Sequence, residues 1–331
     1  LWKGEADAQP YIPDMVQMMK DKGFAYMSEG ALVVDVKEDT DTKEIPPCII
    51  LKSDGASLYS TTDLATLVMR MKENNPDRVI YLADARQSMH FIQVFRCARK
   101  TGIVPDTTEL VHIGFGTMNG KDGKPFKTRD GGVMRLEYLL KEIDDEMLNK
   151  IKENQKEKEN LNIDEAEAEQ TAKTVALAAV KYGDLSNQAS KDYIFDIDRF
   201  TSFEGNTGPY ILYTIVRIKS ILSKYEAKGG DISALKDAIM PAVNAGQKNL
   251  MLSLAKFNAT IESAYEESAP HKICAYIYEL ANAFNGFYHD TKILSEENEE
   301  LKKSYISLLV LTKEILEACI DMLGFSAPDR M

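Results

Sequence analysis

The sequence is poor in cysteine and histidine, and both residue types are spread along the chain. No two cysteines have the short spacing of a zinc knuckle or a CxxC redox motif. No two of the four histidines have the i, i+4 spacing of a helical zinc site. We therefore expect buried free thiols and no protein-bound metal. The cysteines are Cys48, Cys97, Cys274 and Cys319.

Long apolar runs are also missing. No segment approaches the roughly 18 to 20 apolar residues that are needed to cross a bilayer, and the first residues, from Leu1 to Glu5, lack the layout of a signal peptide. We expect a cytoplasmic protein without a membrane partner. Because the first residue is not methionine, we also expect the natural chain to begin further upstream.

Basic residues are outnumbered, and the 331 residues carry a formal net charge of −12 at pH 7. This surplus of acidic residues argues against a protein that binds polyanions through its overall charge, so any contact with nucleic acid must be local. The hydrophobic content of 44% is enough for a sizeable core. The length predicts about two domains.

Residues 1–140 alternate between β-rich and helical patterns, which is typical of a parallel sheet with crossover helices. Residues 115–132 are rich in glycine and basic residues, and we predict a loop there. The predicted strands are residues 31–36, 48–52, 78–84, which should be fully buried, and 110–114. The predicted helices are residues 60–74 and 90–100.

Strand patterns almost vanish after residue 134, and helical patterns replace them. Residues 141–170 are dense in Lys and Glu, and we interpret them as a solvated helix and linker. Residues 171–183 form an alanine-rich helix. A further helix begins at residues 206–209, where an N-cap residue precedes a proline. The last helix ends at Gly324, in the position of a C-terminal glycine cap.

The glycine-rich segment has the composition of a phosphate-binding loop. Glycine lets backbone amides approach an anion, and basic side chains can surround a polyphosphate. An ordinary surface loop has the same composition, so both interpretations stay open. The segment matches neither the Walker loop nor the GxGxxG pattern. Its basic residues are Lys121, Lys124, Lys127 and Arg129.

The order of several short motifs resembles the arginyl-tRNA synthetases of the bacterial type, which are class I aminoacyl-tRNA ligases. Together these motifs are far more specific than any one of them, and the resemblance extends over essentially the whole chain. The motifs are SEGALVVD (28–35), LYSTTDLA (58–65), ARQSMH (85–90), HIGFG (112–116), GKPFKTR (123–129), DYIFD (192–196) and FEGNTGPY (203–210).

The resemblance implies an α/β plus all-α fold. Residues 1–140 would be the second half of a Rossmann-type catalytic domain, residues 141–200 a helical connecting region, and residues 201–331 an all-helical anticodon-binding domain. The family's HIGH signature lies in the first half of the catalytic domain. The resemblance implies that this chain lacks that half and also an N-terminal module. His112-Ile113-Gly114 is similar to that signature but lacks its second histidine. It lies directly before the glycine-rich loop, where the family has a separate segment that contacts adenosine.

The family's arginine-binding positions correspond to Tyr59, Asp63 and Gln87. The chemistry agrees, because a carboxylate can accept a forked pair of guanidinium N–H bonds and an aromatic ring can stack on the planar cation. Gln87 can supply a neutral carbonyl. Asp63 has a structural alternative, since an aspartate at this place can also cap a helix.

The resemblance places the ATP against a second group of residues. His90 would share a helix face with Gln87, although a core histidine is an equally good interpretation. Met118 would cover an apolar face of the nucleotide. The implied ATP-binding residues are His90, His112, Gly114, Phe115, Gly116 and Met118.

Residues 124–129 occupy the place of the class I KMSKS loop. The resemblance implies that cations here stabilise the charge that develops on pyrophosphate during amino-acid activation. Lys124, Lys127 and Arg129 are the implied catalytic residues. Thr128 stands where the second lysine is usual, so the three can supply that role only in part.

One face of the helix that follows Pro209 carries Tyr210, Tyr213 and Arg217, which are suited to unpaired RNA bases and phosphates. Ordinary packing is the alternative, since tyrosines at helical spacing are often half-buried. The family's anticodon-binding domain at this place favours RNA. No RNA role is assigned individually to four further polar and aromatic residues, which are Tyr276, Asn282, Phe287 and Tyr288.

The implied function is ATP-dependent activation of L-arginine to arginyl-adenylate and transfer to the 3′ end of tRNA(Arg). Mg²⁺ would accompany ATP as substrate. The full-length enzyme would be a monomer, whereas half a catalytic domain would leave sheet edges and apolar surface open to self-association. Two alternatives stay open: a non-catalytic tRNA-binding module, and an unrelated nucleotide-binding enzyme with a helical appendage.

Overall fold

A computed structural model describes residues 2–124, 135–157, 164–235 and 238–331 of the chain. The chain forms two compact units, Leu1–Gly116 and Thr117–Met331. Each unit has its own cluster of buried apolar residues, and neither cluster includes a residue of the other unit. The two units are described separately below.

The first unit combines five strands with three α-helices. Its helix α2 begins where the hydroxyls of Ser60 and Thr61 donate to the carbonyls of Ile49 and Ile50, which joins the helix to the preceding strand. The strands are β1 (Ala25–Ser28), β2 (Ala31–Val34), β3 (Cys48–Leu51), β4 (Arg78–Asp84) and β5 (Glu109–Phe115). The helices are α1 (Ile12–Asp21), α2 (Tyr59–Glu73) and α3 (Ser88–Lys100).

The strands form two sheets rather than one. Strands β4 and β5 are parallel, with Tyr81 opposite His112 and Ala83 opposite Gly114. Strand β3 was expected to join this parallel sheet, but it pairs antiparallel with β2, which pairs antiparallel with β1. The expectation failed because alternation of strands and helices does not specify which strand each one pairs with.

The prediction that residues 78–84 form a fully buried strand is wrong. Val79 is buried, but Ile80 and Leu82 are 45% and 71% exposed. Side chains alternate between the two faces of a strand, so one face of β4 packs inward and the other is open. In the described part of the chain, β4 hydrogen-bonds only to β5.

The second unit is mainly helical. The segment 115–132, predicted as a loop, contains a short strand that pairs in parallel with residues 193–194. The strands are β6 (Met118–Asn119) and β7 (Tyr193–Ile194). The helices are α4 (Leu136–Glu157), α5 (Glu165–Leu185), α6 (Ile197–Phe200), α7 (Gly208–Glu226), α8 (Ala245–Leu254), α9 (Phe257–Glu266), α10 (Pro270–Asp290) and α11 (Glu299–Met322).

Helix α4 was predicted as a solvated helix, and this is wrong for one of its faces. Leu139, Ile143, Met147 and Ile151 recur every four residues, and all four are buried in the core of the second unit. The residues between these four are mostly charged, so the overall composition of the segment does not reveal the buried apolar stripe. The i, i+4 spacing is the better guide here.

Close helix packing in the second unit depends on glycine. A Cβ atom at Gly208 would lie 2.3 Å from the carbonyl oxygen of Ala178 on α5, so the start of α7 can approach α5 only without a side chain. The preceding Thr207 caps α7, as its Oγ accepts a bond from the N–H of Tyr210. The predicted N-terminus of this helix is confirmed.

The C-terminal end of α11 and the state of the cysteines agree with the sequence expectations. Gly324 follows α11 with a φ of +79°, as expected of a glycine C-cap. All four cysteines are buried and free. Within the described residues, no helix combines the length and the apolar character that a membrane crossing requires.

Candidate active site and RNA-binding surface

The first candidate site lies at the N-terminal ends of α2 and α3. Tyr59 is the first residue of α2 and is 77% exposed. Asp63 follows one turn later, so the two side chains lie on neighbouring positions of one helix face. Asp63 does not cap the helix, because the N-cap is Leu58, whose N–H donates to the hydroxyl of Thr61.

Asp63 contacts a histidine from the neighbouring helix. Its Oδ2 lies 2.6 Å from Nε2 of His90, and the two side chains are 27% and 26% exposed. Since an ionised carboxylate only accepts hydrogen bonds, the His90 ring donates through Nε2. The structure therefore brings two predicted site residues into direct contact, although they were assigned to different ligands.

The segment that carries Gln87 is a short 3-10 turn, Ala85–Gln87, between β4 and α3. Asp84 caps this turn by accepting from the N–H of Arg86, and it also pairs with the Arg86 guanidinium at 2.8 and 2.6 Å. These bonds lower the pKa of Asp84 to about 2. The side chain of Gln87 is exposed at the end of the turn.

Gly114 permits the close approach of this turn to β5. A Cβ atom at position 114 would lie 2.9 Å from the Cα of Ala85, which is closer than real Cβ contacts. Any side chain here would push the 85–87 turn away from the sheet. The predicted ATP residue Gly114 thus has a structural role that the sequence did not reveal.

His112 lies on β5 and packs against α3. Its ring stacks on Phe91 with centroids 4.5 Å apart, and Phe91 also contacts Tyr81 and His90, each with centroids 5.0 Å apart. In the described residues, the buried Nε2 of His112 and the buried hydroxyl of Tyr81 have no hydrogen-bond partner. Burial raises the pKa of Tyr81 well above its ordinary value.

The remaining predicted ATP residues are distributed over both units. Phe115 is 45% exposed at the end of β5, and Gly116 is the last residue of the first unit. Met118 belongs to the second unit, where it is partly buried against the helical core. Met118 therefore has packing contacts of its own.

The predicted catalytic loop is described only at its start. Residues 120–124 form a tight turn, in which the N–H of Gly120 donates to the carbonyl of Lys124 at 2.8 Å. Lys124 itself is exposed. Lys127 and Arg129 lie outside the described residues.

Lys121 anchors this turn to the segment that follows β7. Its Nζ lies 3.0 Å from Oδ1 of Asp196 and 2.9 Å from Oδ2 of Asp198. These bonds raise the pKa of Lys121, and the same ammonium lowers the pKa of Asp198. The sequence placed Lys121 among possible phosphate ligands, whereas the structure pairs it with two carboxylates.

The second candidate site is a polar and aromatic surface between α7 and α10. The hydroxyl of Tyr210 donates to Oδ1 of Asn282 at 2.7 Å and accepts from Nδ2 of Asn285 at 2.9 Å. Nη1 of Arg217 donates to Oδ1 of Asn285 at 2.6 Å. Tyr210 and Arg217 are thus linked through one asparagine.

Aromatic rings flank the Arg217 guanidinium. Its Cζ lies 4.7 Å from the ring centroid of Tyr213 and 5.5 Å from that of Tyr288, within the range of cation–π attraction. Tyr288 is 41% exposed. The predicted trio therefore forms one surface with residues of α10, in which Tyr210, Tyr213 and Arg217 are each half-buried.

Two family models match the chain. The catalytic domain of class I tRNA synthetases specific for arginine, "tRNA synthetases class I (R), catalytic domain", matches residues 1–197, which is more than half of the chain. The chain belongs to the class I arginyl-tRNA synthetase family. The second model, the "DALR anticodon binding domain", matches residues 211–331.

Curated relatives agree with this family assignment. The chain is 98% identical over all 331 residues to an arginine–tRNA ligase of Agathobacter rectalis and 54% identical to one of Alkaliphilus oremlandii. It covers 55% of each relative. The chain thus spans about half the length of the curated relatives it matches.

Solved arginyl-tRNA synthetases have the same fold. The structure from Plasmodium falciparum matches with a TM-score of 0.83 and 26% identity over the whole chain, which corresponds to 54% of that protein. The Thermus thermophilus structure matches with a TM-score of 0.81 and 22% identity, covering 60% of that protein. The predicted family and the α/β plus all-α fold class are confirmed.

Sequence reasoning missed one residue of the α7–α10 surface, Asn285, and one contact of the first candidate site. Asn285 has no motif of its own, but its position three residues after Asn282 and three before Tyr288 places all of them along one side of α10. That spacing could have been read from the sequence. The pairing of His90 with Asp63 had no sequence signal, because the two residues are far apart along the chain.

Proposed function

We propose that this chain is part of an arginine–tRNA ligase, which activates L-arginine with ATP and transfers the arginyl group to the 3′ end of tRNA(Arg). The observation that carries the proposal is the exposed Tyr59 beside the half-buried Asp63 at the start of α2, within the segment that matches the catalytic family model. An aromatic ring beside a carboxylate suits a planar cation.

Asp63 would bind the guanidinium of arginine and Tyr59 would cover its plane. A carboxylate accepts two parallel N–H bonds from a guanidinium, which a lysine ammonium cannot supply with the same geometry. Gln87, exposed at the end of the 3-10 turn, would accept a further N–H bond through its side-chain carbonyl. These contacts favour arginine over other cationic amino acids.

The ATP would lie against the C-terminal end of β5 and the residues that follow it. The backbone of Gly114, Phe115 and Gly116 would contact the adenine, with His112 and Met118 close to the nucleotide. Parallel strands commonly bind ligands at their carboxyl ends, which supports this placement. Mg²⁺ would arrive with ATP. In the described residues, no three His, Cys, Asp or Glu side chains cluster as metal ligands.

Lys124, Lys127 and Arg129 would stabilise the pyrophosphate. During activation, an oxygen of the arginine carboxylate attacks the α-phosphorus and the bond to the pyrophosphate oxygen breaks, so negative charge grows on the leaving group. Nearby cations lower the free energy of that transition state. The tRNA hydroxyl then attacks the carbonyl carbon, and AMP leaves.

The surface between α7 and α10 would bind the tRNA. Arg217 offers a cation for phosphate, and Tyr210 and Tyr213 offer rings and a hydroxyl for unpaired bases. Tyr213 and Arg217 lie in the part that matches the anticodon-binding family model, and Tyr210 directly precedes that part, which supports this role. Because the net charge is −12, a locally positive and aromatic surface has to provide the contact.

The same proposal includes the arrangement of the chain. Residues 1–140 would serve catalysis, residues 141–200 would connect and contact the tRNA stem, and residues 201–331 would bind the anticodon. The full-length enzyme would work as a monomer in the cytoplasm.

The test is aminoacylation by the chain extended to the length of its relatives. We expect labelled arginine to be attached to tRNA(Arg) in a reaction that needs ATP and Mg²⁺, and Tyr59→Ala to lower kcat/KM for arginine about fivefold, as expected of a lost cation–π contact at an exposed site. Tyr265→Ala is the matched control, since Tyr265 is similarly exposed, at 72%, in the second unit. Attachment of another amino acid would contradict the proposal.

A non-catalytic tRNA-binding module is the second candidate. Two observations support it. The chain covers only 55% of the length of the curated relatives, and residues 211–331 match the anticodon-binding model. This candidate predicts that the 331-residue chain binds tRNA(Arg) in preference to a non-cognate tRNA at one stated salt concentration, without ATP turnover.

A further inference from the structure

The contact between Asp63 and His90 joins two helices at the candidate arginine site. The atoms Oδ2 of Asp63 and Nε2 of His90 are 2.6 Å apart and belong to residues separated by 27 positions. Both side chains keep about a quarter of their surface accessible. The pair is thus open to a ligand and not part of the buried core.

The contact leaves most of the Asp63 carboxylate available. A carboxylate has about four lone-pair positions on its two oxygens, and one N–H of His90 occupies one of them. A guanidinium fork needs two acceptors in a fixed orientation. By holding one oxygen, His90 fixes the rotamer of Asp63, so less side-chain freedom is lost when arginine binds.

His90 is itself held in place. Its ring packs edge-on against Phe91, with centroids 5.0 Å apart, and Phe91 is only 5% exposed. Phe91 is fixed in turn by His112 and Tyr81 on the two strands β5 and β4. A histidine in this position is a rigid support for the carboxylate of Asp63.

We propose that His90 is a positioning residue for arginine recognition, which orients the carboxylate of Asp63 toward the guanidinium. This inference rests on the proposed function. It replaces the sequence expectation that His90 binds ATP, because its one described polar partner is the arginine-site carboxylate.

Steady-state aminoacylation by the chain extended to the length of its relatives tests this role, with KM measured separately for arginine and for ATP. We expect His90→Ala to raise KM for arginine about tenfold, the effect of one lost hydrogen bond to a charged group, while KM for ATP changes less than twofold. His90→Gln should keep the KM for arginine close to the wild-type value, because the glutamine amide can also donate a hydrogen bond to Asp63. Since glutamine has no imidazole ring, this result would assign the effect to the hydrogen bond.

A double-mutant cycle with Asp63→Asn sharpens the test. If His90 acts through Asp63, His90→Ala should weaken arginine binding much less in the Asp63→Asn background than in the wild type, as measured by equilibrium dialysis with labelled arginine. His271→Gln in the second unit is the matched control and should change neither KM. Thermal unfolding of each variant separates a folding defect from a binding defect.

Two results would overturn the role of His90. One is a raised KM for ATP with an unchanged KM for arginine, which would make His90 a nucleotide contact. The other is a His90→Ala variant with both KM values unchanged in a wild type that charges tRNA(Arg). A wild type that charges no tRNA with arginine would instead overturn the proposed function, and the role of His90 with it.

Discussion

The two compact units bury their apolar side chains in different ways. In the second unit, stripes from α4, α5, α7, α10 and α11 meet in one continuous core. In the first unit, the core lies on one side of β4, whereas Ile80 and Leu82 on its other side are exposed. A helix can bury one stripe against its neighbours, whereas parallel strands such as β4 and β5 are commonly covered on both faces. The comparison teaches that the described helices of the second unit enclose one continuous apolar core, whereas the sheet of the first unit keeps apolar side chains exposed on one face.

Gly208→Ala tests the closed packing of the second unit and should have the largest effect. The added Cβ would lie 2.3 Å from a backbone oxygen of α5, so the two helices must separate. We expect a loss of about 3 kcal/mol in the free energy of unfolding, in the range of overpacked cores. Denaturant unfolding followed by circular dichroism measures it.

Gly286→Ala is the matched control for that experiment. A Cβ atom at Gly286 on α10 meets no other atom within 4 Å. Alanine is a better helix former than glycine, so this change should stabilise the unit by about 0.8 kcal/mol. Equal effects of the two substitutions would contradict the close contact between α5 and α7.

Asp63→Asn tests the ligand site of the first unit. The substitution keeps the size of the side chain but removes the charge that a guanidinium needs, so arginine binding should weaken about 100-fold, at the upper end for hydrogen bonds to charged groups. The measurement is arginine KM in the chain extended to the length of its relatives. A normal arginine KM would remove Asp63 from the proposed site.

Arg217→Ala tests the half-buried polar and aromatic surface between α7 and α10. Loss of the guanidinium removes a phosphate contact, and we expect affinity for tRNA(Arg) to fall about tenfold at moderate salt, with a smaller salt dependence. Lys228→Ala, at an exposed lysine that follows α7 and lies outside the α7–α10 surface, is the control for general charge. The same loss in both variants would show that charge alone, and not this surface, binds the tRNA.

Leu82→Lys tests whether the open face of β4 makes the chain self-associate. Burying one leucine side chain contributes about 1.5 to 3 kcal/mol, so replacing it should weaken self-association about tenfold in sedimentation velocity. Leu177→Lys, at a 41% exposed leucine on α5, is the control. An unchanged association constant for Leu82→Lys would place the contact elsewhere.

The smallest expected effect concerns an ion pair of the first unit. Both oxygens of Asp41 accept bonds of 2.8 Å from the Arg96 guanidinium, which lowers the pKa of Asp41 to about 2 from its ordinary value of 3.8. Because the folded-state pKa is depressed, the pair stabilises the fold above about pH 4. This stabilisation is lost as the pH falls toward 2.

Thermal unfolding at several pH values checks this expectation. Asp41→Asn should unfold at a lower temperature than the wild type at pH 6, and the difference should disappear as the pH approaches 2. Asp106→Asn, at an exposed aspartate, is the control. A difference that persists at low pH would mean that packing rather than charge accounts for the effect.

Local patterns in the sequence predicted the elements of this chain well where apolar residues recur with a regular period or where capping residues mark a helix end. Thr207 and Gly324 marked helix ends correctly, since caps depend on a few adjacent residues. Periodicity also located α2 and α3. The prediction failed for β4, because an apolar run does not reveal whether both faces of a strand are covered.

The candidate sites were predictable as residues but not as arrangements. The motifs around Tyr59, Asp63 and Gln87 pointed to a planar cation, and those roles stay predictions. No pattern in the sequence indicated that His90 contacts Asp63 or that Lys121 is paired with Asp196 and Asp198. Such contacts join residues that only the packing of helices and strands brings together.

The sequence by itself determined the family, several of the helices and strands, two helix ends and the residue types available for binding. Each of these depends on short patterns or on a series of motifs along the chain. Only the tertiary structure decided that His90 holds the carboxylate of Asp63 and that Asn285 links Tyr210 to Arg217. The physical reason is that a hydrogen bond requires donor and acceptor atoms within about 3 Å of each other. Residues that are 27 to 75 positions apart along the chain reach that distance only because their helices pack on the buried cores.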